Sequence, residues 1–354
     1  MRISLFTSDI ANNSLGRTYS LWLLCEHLQW DAQVYYTGPT AIDEIWAPLK
    51  GTAFAEHCQK YDESSQAQRA TIKASALIVA AKPHAPSFGV AMRVASNIGK
   101  PVLLDVDDPD IEVQLSWERP LRRAARALIR REAISSAKLM RKMMAGVPTI
   151  VSNPVLQSRW GGEIIPHART DSGPGRPHAL STPTIAFVGT DHPHKGLATL
   201  RRALERNQGL GYRLVVTDDE PSDSRPWEDW IGQTTLAAGL NVVANSDVVI
   251  LPSKKTVIAN GQLPAKLMDA MLFGRAIAVS DLKPMTWALD GAGRVFPPGS
   301  VAGLTEILHE FSDPSIRKRI GDSARERALS MFTVESLAPA FALACHSAVG
   351  STVL

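Results

Sequence analysis

The sequence predicts an α/β protein built as two doubly wound domains, each a parallel sheet covered by helices on both faces. Three observations carry that expectation. The chain has 354 residues, and at roughly 100–200 residues per domain this makes room for two. Short β-branched runs that are apolar on both faces alternate with longer helical patterns. A stretch rich in Pro, Gly and Ser, residues 170–183 (TDSGPGRPHALSTP), divides these runs into two sets.

The first set of strands is Ile3–Thr7, Gln33–Tyr36, Leu77–Ala80, Val102–Val106, Thr149–Ser152 and Glu163–Pro166. The second is Thr184–Val188, Arg213–Thr217, Val248–Leu251 and Ala276–Val279. These give a first domain over 1–169, a linker over 170–183 and a second domain over 184–333. The apolar helical pattern of 334–354 either packs back on the first domain or finishes the second. No repeat of solenoid period is present. In open α/β sheets ligands bind at the carboxyl ends of the strands. Two such domains facing each other make a cleft, and the chemistry is expected there.

Apolar residues make up 45% of the chain, which excludes a disordered protein. The three cysteines, Cys25, Cys58 and Cys345, are scattered without metal-ligand spacing. They read as reduced thiols, which points to the cytoplasm. The start, MRISLFTSDI, is a first strand and too short for a signal peptide. No apolar run approaches the roughly 18 residues of a membrane span.

The net charge of +3 hides an asymmetry. Residues 119–142 hold nine basic side chains and one acid, Glu132, so that stretch carries +8 and the remainder −5. It reads as a helix with a cationic surface. One reading is a solvated face. The other is peripheral contact with an anionic membrane at its inner face, at about 1 kcal/mol per Lys or Arg. Nucleic acid is not an expected partner, because aromatic residues are not interleaved with the charges.

Two segments carry the chemistry. Residues 247–281 (DVVILPSKKTVIANGQLPAKLMDAMLFGRAIAVSD) read as strand, loop, helix, strand. The loop holds Gly261, Gln262 and Leu263, and Pro264 opens a helix that Gly274 terminates. Free N–H groups at Gln262–Leu263 with the helix dipole behind them form an anion site. Lys266 lies in its first turn. Asp269 lies about a turn in, where a carboxylate suits ribose hydroxyls. Residues 185–204 (IAFVGTDHPHKGLATLRRAL) place Gly189, Thr190 and Lys195 at a strand's carboxyl end, where a long cation suits a diphosphate. His192 and His194 lack a third ligand and a Pro lies between them, so no metal is expected there.

In the first domain, Ser14, Gly16 and Arg17 follow the first strand, and Asp105, Asp107 and Asp108 cluster at another strand's carboxyl end. The run DVDDPD offers carboxylates that suit Mg²⁺ or Ca²⁺. Alternation along a strand sends two of them to opposite faces, and Asp-Pro-Asp turn chemistry accounts for Asp108 and Asp110.

VGTDHPHKGLATL, DVVILPS and GQLPAKLMDAMLFGRAIAVSD resemble, in that order and spacing, the C-terminal domain of retaining GT-B glycosyltransferases of glycosyltransferase family 4. VSNPVLQSRWGGEIIPHART resembles the segment that ends the family's first domain, and LDVDD a central strand end. The resemblance implies two Rossmann-like domains facing across a cleft. It also implies transfer of a sugar from a nucleotide diphosphate donor to a hydroxyl acceptor (glycan, lipid-linked or small-molecule), with retention and without a metal or other cofactor. It puts Gly189, Thr190, Lys195, Gly261, Gln262, Leu263, Pro264, Lys266 and Asp269 on the donor, with Lys195 and Asp269 also serving catalysis. Asp107 takes the place of a family histidine that touches the donor sugar, and Ser14, Gly16, Arg17 and Asp105 lie on the acceptor side. Gly261 stands where many members carry the first of two glutamates, and Thr190 where they carry an arginine. Pro264, Lys266 and Asp269 match a Pro-x-Lys-x-x-acid variant. Two alternatives remain: a nucleotide-sugar epimerase of similar fold, and a non-catalytic nucleotide-sugar-binding protein.

Overall fold

The computed structural model describes residues 1–115 and 131–350. The chain forms two compact units. The first is Met1–Ala168 with Leu337–Leu354, and the second is Arg169–Ser336.

The first unit holds β1 (Arg2–Thr7), β2 (Asp31–Tyr36), β3 (Cys58–Lys60), β4 (Leu77–Ala81), β5 (Val102–Val106), β6 (Thr149–Val151) and β7 (Glu163–Ile164). They pair in the order β3-β2-β1-β4-β5-β6-β7, and every pairing is parallel. The second unit holds β8 (Thr184–Phe187), β9 (Arg213–Val216), β10 (Glu228–Trp230), β11 (Val248–Leu251), β12 (Ala276–Ser280) and β13 (Arg294–Phe296). Their order is β10-β9-β8-β11-β12-β13, again all parallel. Both sheets reverse direction beside their first strand, between β1 and β4 and between β8 and β11. That reversal opens a crevice at the carboxyl ends of the strands.

Burial on both faces is what makes the central strands largely apolar on both sides. In the second unit Val249, Leu251, Ile277 and Val279 pack with Leu267, Met271 and Ala324 on one side. Val248, Ile250, Ala276 and Ala278 pack with Leu200, Leu204 and Leu308 on the other. Adjacent residues of one strand therefore feed two different cores, as the period-2 geometry requires. In the first unit Phe6, Ile78, Leu104 and Val151 share a layer with Phe88, Ala137, Met140 and Leu156.

The ten expected strands all form. β3, β10 and β13 were not anticipated. Each is three residues long with polar residues in it, and each sits at a sheet edge, where one side lacks a partner strand. Residues 170–183, read as a linker, lie along the second unit. Asp171 pairs with Arg325 at 2.7 Å, Gly175 N–H donates to Phe273 O at 3.0 Å, and Arg176 N–H donates to Ala244 O at 2.9 Å. The final helix runs Val334–Gly350, and its residues from Leu337 belong to the first unit. There the Trp30 ring lies 6.0 Å from Phe341 and 5.8 Å from His346.

Of the basic stretch, residues 119–130 lie outside the described residues. The helix Arg131–Met143 carries exposed Lys138, Leu139, Arg141 and Lys142. Among the described residues no helix is long and apolar enough to cross a membrane.

Asp247 fastens the start of the second unit. Its fully buried carboxylate accepts from Ala179 N–H at 2.6 Å, Thr184 N–H at 2.7 Å and Arg176 Nη2 at 3.0 Å. Burial opposes its charge, but the His178 ring 3.7 Å away, bonds from Thr184 and Ala179 and the Arg176 charge hold its pKa down at about 2. A depressed carboxylate contributes stability above its unfolded pKa, and that contribution is lost as pH falls toward the folded value. Asp247→Asn should cost about 2–4 kcal/mol in urea unfolding near neutral pH. The deficit should shrink only below about pH 4. A deficit that is small, or already falling between pH 7 and 5, would remove Asp247 from this role.

Candidate functional site

The crevice of the second sheet lies past the carboxyl ends of β8 and β11. After β8 the chain runs through Val188 to Gly189, whose φ of +101° suits glycine alone. Gly189 N–H donates to Thr217 Oγ1 at 2.6 Å, at the end of β9. A Cβ on Gly189 would meet Lys266 Nζ at 3.3 Å and Lys195 Nζ at 3.6 Å. Two ammonium groups thus converge on the bare face of one glycine.

Each lysine is held from a different element. Lys195 Nζ donates to Thr190 O at 2.6 Å, and Lys266 Nζ donates to Val188 O. Lys266 also lies 5.1 Å from the centre of the Phe187 ring, a cation–π contact. Gly196, with φ +75°, comes so close to the β11 end that a Cβ would stand 2.0 Å from Pro252 O. Lys254 N–H donates to His194 O at 2.8 Å. The β8 loop is therefore pressed against the β11 loop, and Lys195 is delivered at their junction.

Burial lowers the Lys195 pKa, opposed by Asp218 and Asp191. Burial, and then the charge of Lys195, lowers Lys266 to about 7, opposed by Asp269. Two buried amines this close repel each other when both are charged, and a neighbouring negative charge would relieve that cost.

The loop before the second-unit helix differs from expectation. Gly261 and Gln262 N–H both donate to Ile258 O, at 3.0 and 2.9 Å. Leu263 is buried in the core. The helix runs Ala265–Leu272 with Pro264 as its cap, and Leu267 N–H donates to Pro264 O at 2.9 Å. The N–H groups that helix geometry leaves without an intrahelical acceptor are those of Ala265 and Lys266. Gly261 and Gln262 thus close a turn on Ile258, and the N–H groups of the helix's first turn remain available for other acceptors. Asp269 points from the same helix, and its Oδ1 accepts from Arg169 Nε at 2.7 Å.

His192 and His194 have parallel rings, 5.7 Å apart and 12° from coplanar, so their nitrogens do not converge on a point. Burial lowers the His194 pKa, helped by Lys195 and His192.

In the first unit the carboxyl ends of β4 and β5 form a cluster of three aspartates around one lysine. Lys82 Nζ lies 2.8 Å from Asp107, 2.6 Å from Asp108 and 3.4 Å from Asp110. The Asp107 contact is an ion pair without hydrogen-bond alignment. Asp107, Asp108 and Asp110 are the one cluster of three metal-capable side chains among the described residues, and the Lys82 ammonium stands where a cation would. Burial pushes Asp107 up to about 8 against the pull of Lys82. Asp110 is held at about 2: burial opposes its charge, while Lys82 and His84 favour it. His84 joins Asp110 at 3.3 Å to Ser8 Oγ at 3.3 Å. Lys82 and His84 escaped the sequence reading. Lys82 carries an unusual φ of +68°, a strain no pattern announces.

Arg17 and Asp105 are corrected. They form a bidentate pair with neither side chain exposed, and Arg17 also donates to Pro166 O and Ile165 O, both at 2.8 Å. Buried so completely, they hold the unit together from within its core. Ser14 Oγ donates to Asn12 Oδ1 at 2.6 Å, and Gly16 lies against the Trp46 ring, 3.4 Å from where a Cβ would stand.

Two open parallel sheets in this order, each reversing beside its first strand, define the GT-B fold. Solved structures share it along the whole chain. HepE of Anabaena in complex with UDP-glucose aligns with a TM-score of 0.72 at 14% identity, covering 98% of this chain and 100% of that one. Sucrose-phosphate synthase of Thermosynechococcus elongatus aligns with 0.67 at 14% identity, covering 99% and 100%. An α-glucosyltransferase in complex with UDP and a 13-mer DNA aligns with 0.67 at 10% identity, covering 98% and 99%. No protein-family profile matches the sequence, and no curated protein matches it.

A lysine with a lowered folded pKa costs stability below that pKa, and the cost fades as pH rises toward the unfolded value. Wild type should therefore gain melting temperature relative to Lys266→Met as pH rises from about 7 to about 10. Thermal melts of both proteins across that range check it, and a constant difference would count against the shift.

Proposed function

We propose that the protein is a glycosyltransferase that moves a sugar from a nucleoside diphosphate donor to a hydroxyl acceptor, with retention and without a metal. The observation that carries this is the pair of ammonium groups converging on Gly189 at the crevice of the second sheet. The diphosphate gains charge as the glycosidic bond breaks. Lys195, Lys266 and the N–H groups of Ala265 and Lys266 then stabilise the leaving group more than the ground state. Charge stabilisation by two lysines and a helix terminus supplies what a divalent cation supplies elsewhere. Asp269 accepts the ribose hydroxyls and fixes the donor's position. Retention rests on the resemblance to glycosyltransferase family 4.

The UDP-glucose and UDP in the HepE structures, and the UDP in the α-glucosyltransferase, support a uridine nucleotide. Lys138, Arg141 and Lys142 around exposed Leu139 suit an anionic membrane face, which would bring a lipid-linked or glycan acceptor to the enzyme.

A thermal-shift screen against UDP, GDP, ADP and CDP, with and without Mg²⁺, should show one nucleotide raising the melting temperature in both conditions. Lys195→Ala and Asp269→Ala should each weaken that nucleotide about tenfold while folding normally. Unchanged binding in both variants would put the donor elsewhere. Binding that appears only with Mg²⁺ would overturn the metal-independent mechanism.

A further inference from the structure

Arg169 lies in the segment VSNPVLQSRWGGEIIPHART, where the sequence gives it no role, yet it meets the residue assigned to the ribose. It is the first residue of the second unit. Its backbone is fixed on both sides: its N–H donates to Phe332 O at 2.9 Å, its carbonyl accepts from Val334 N–H at 2.9 Å, and it forms a parallel bridge with Thr333. From this anchored position its Nε reaches Asp269 Oδ1 at 2.7 Å. Both side chains are mostly buried, 14% and 12% exposed.

A carboxylate on a helix turns about two side-chain bonds. Reading two vicinal hydroxyls requires its plane to be fixed before the ligand arrives, because each hydroxyl must find an oxygen at hydrogen-bond distance and angle. A planar guanidinium on a rigid stretch of backbone does this, whereas a lysine supplies charge without a plane. The carboxylate offers about four acceptor positions. The Arg169 bond uses one of them and leaves acceptor capacity on both oxygens.

We propose that Arg169 is a positioning residue that orients the Asp269 carboxylate to accept both ribose hydroxyls, and so sets the preference for ribonucleotides over 2′-deoxyribonucleotides. This rests on the donor-site reading above. Arg169 touches the nucleotide only through Asp269. Its removal should therefore reduce the distinction between the two sugars more than it reduces overall affinity.

The test is calorimetric titration of UDP against 2′-deoxy-UDP, with the GDP and ADP pairs run alongside. The proteins are wild type, Asp269→Asn, Arg169→Gln and Arg169→Lys. The ratio of the two dissociation constants is taken within one preparation, so a fraction of misfolded protein does not enter it. Wild type should favour the ribonucleotide about tenfold or more. Asp269→Asn and Arg169→Gln should both bring the ratio to about threefold or less, with Arg169→Lys in between. A wild-type ratio retained in Arg169→Gln, while Asp269→Asn loses it, overturns the role of Arg169 and leaves the donor site standing. If Arg169→Gln does not fold, a wild-type ratio in Arg169→Lys overturns it equally. Wild type that binds no nucleotide of the three pairs, or binds without preference, overturns both.

Discussion

No side chain fits between residue 196 and the carbonyl of Pro252. This backbone contact joins the loop after β8 to the loop after β11, the two strands between which the second sheet reverses. It fixes Lys195 at the crevice, and the left-handed Gly189 then exposes a bare surface toward it. Lys266 arrives from the helix that follows β11 in sequence. Without the close approach the two loops would part, and the lysines would lose their common target. The fold supplies a crevice, but glycine backbone turns it into a charge receptor.

The two sheets solve the electrostatics of their carboxyl edges in opposite ways. The first pairs its charges: Arg17 with Asp105, and Lys82 with three aspartates. The second keeps two cations close together, and burial makes that arrangement costly until an anion joins them. In the first unit every carboxylate of the cluster has the Lys82 ammonium beside it, whereas in the second, among the described residues, the two lysines face each other with no opposite charge between them. This contrast is why the proposed donor site lies on the second unit.

The strands buried on two faces were legible because burial favours apolar residues on both sides, as in Leu77–Ala81 and the first four residues of Ala276–Ser280. β3, β10 and β13 were not, since an edge strand of three residues leaves only a trace in sequence. That Lys195 and Lys266 stand at one crevice was legible, because strand, turn and helix fix where such residues must point. Arg17 was misjudged for the same reason: a glycine and an arginine after a first strand look like a ligand loop. Only the fold reveals that Asp105, 88 positions away, neutralises the arginine. Lys82, His84 and Arg169 stand alone in sequence and gain meaning only from partners brought in by folding.

One contact distant from the chemistry governs it. The helix Ala265–Leu272 ends at Gly274, in the left-handed conformation, and Gly321 of the helix Pro314–Met331 lies directly against it. A methyl group at 321 would stand 2.0 Å from the Gly274 carbonyl oxygen. The helix that carries Lys266 and Asp269 thus rests on a floor with no room for a side chain. A mutational survey scored by activity would rank position 321 beside Lys266 and Asp269, although it lies on another helix. Its intolerance would record where the helix must stand, and a lineage could vary its substrate freely while that position stayed fixed.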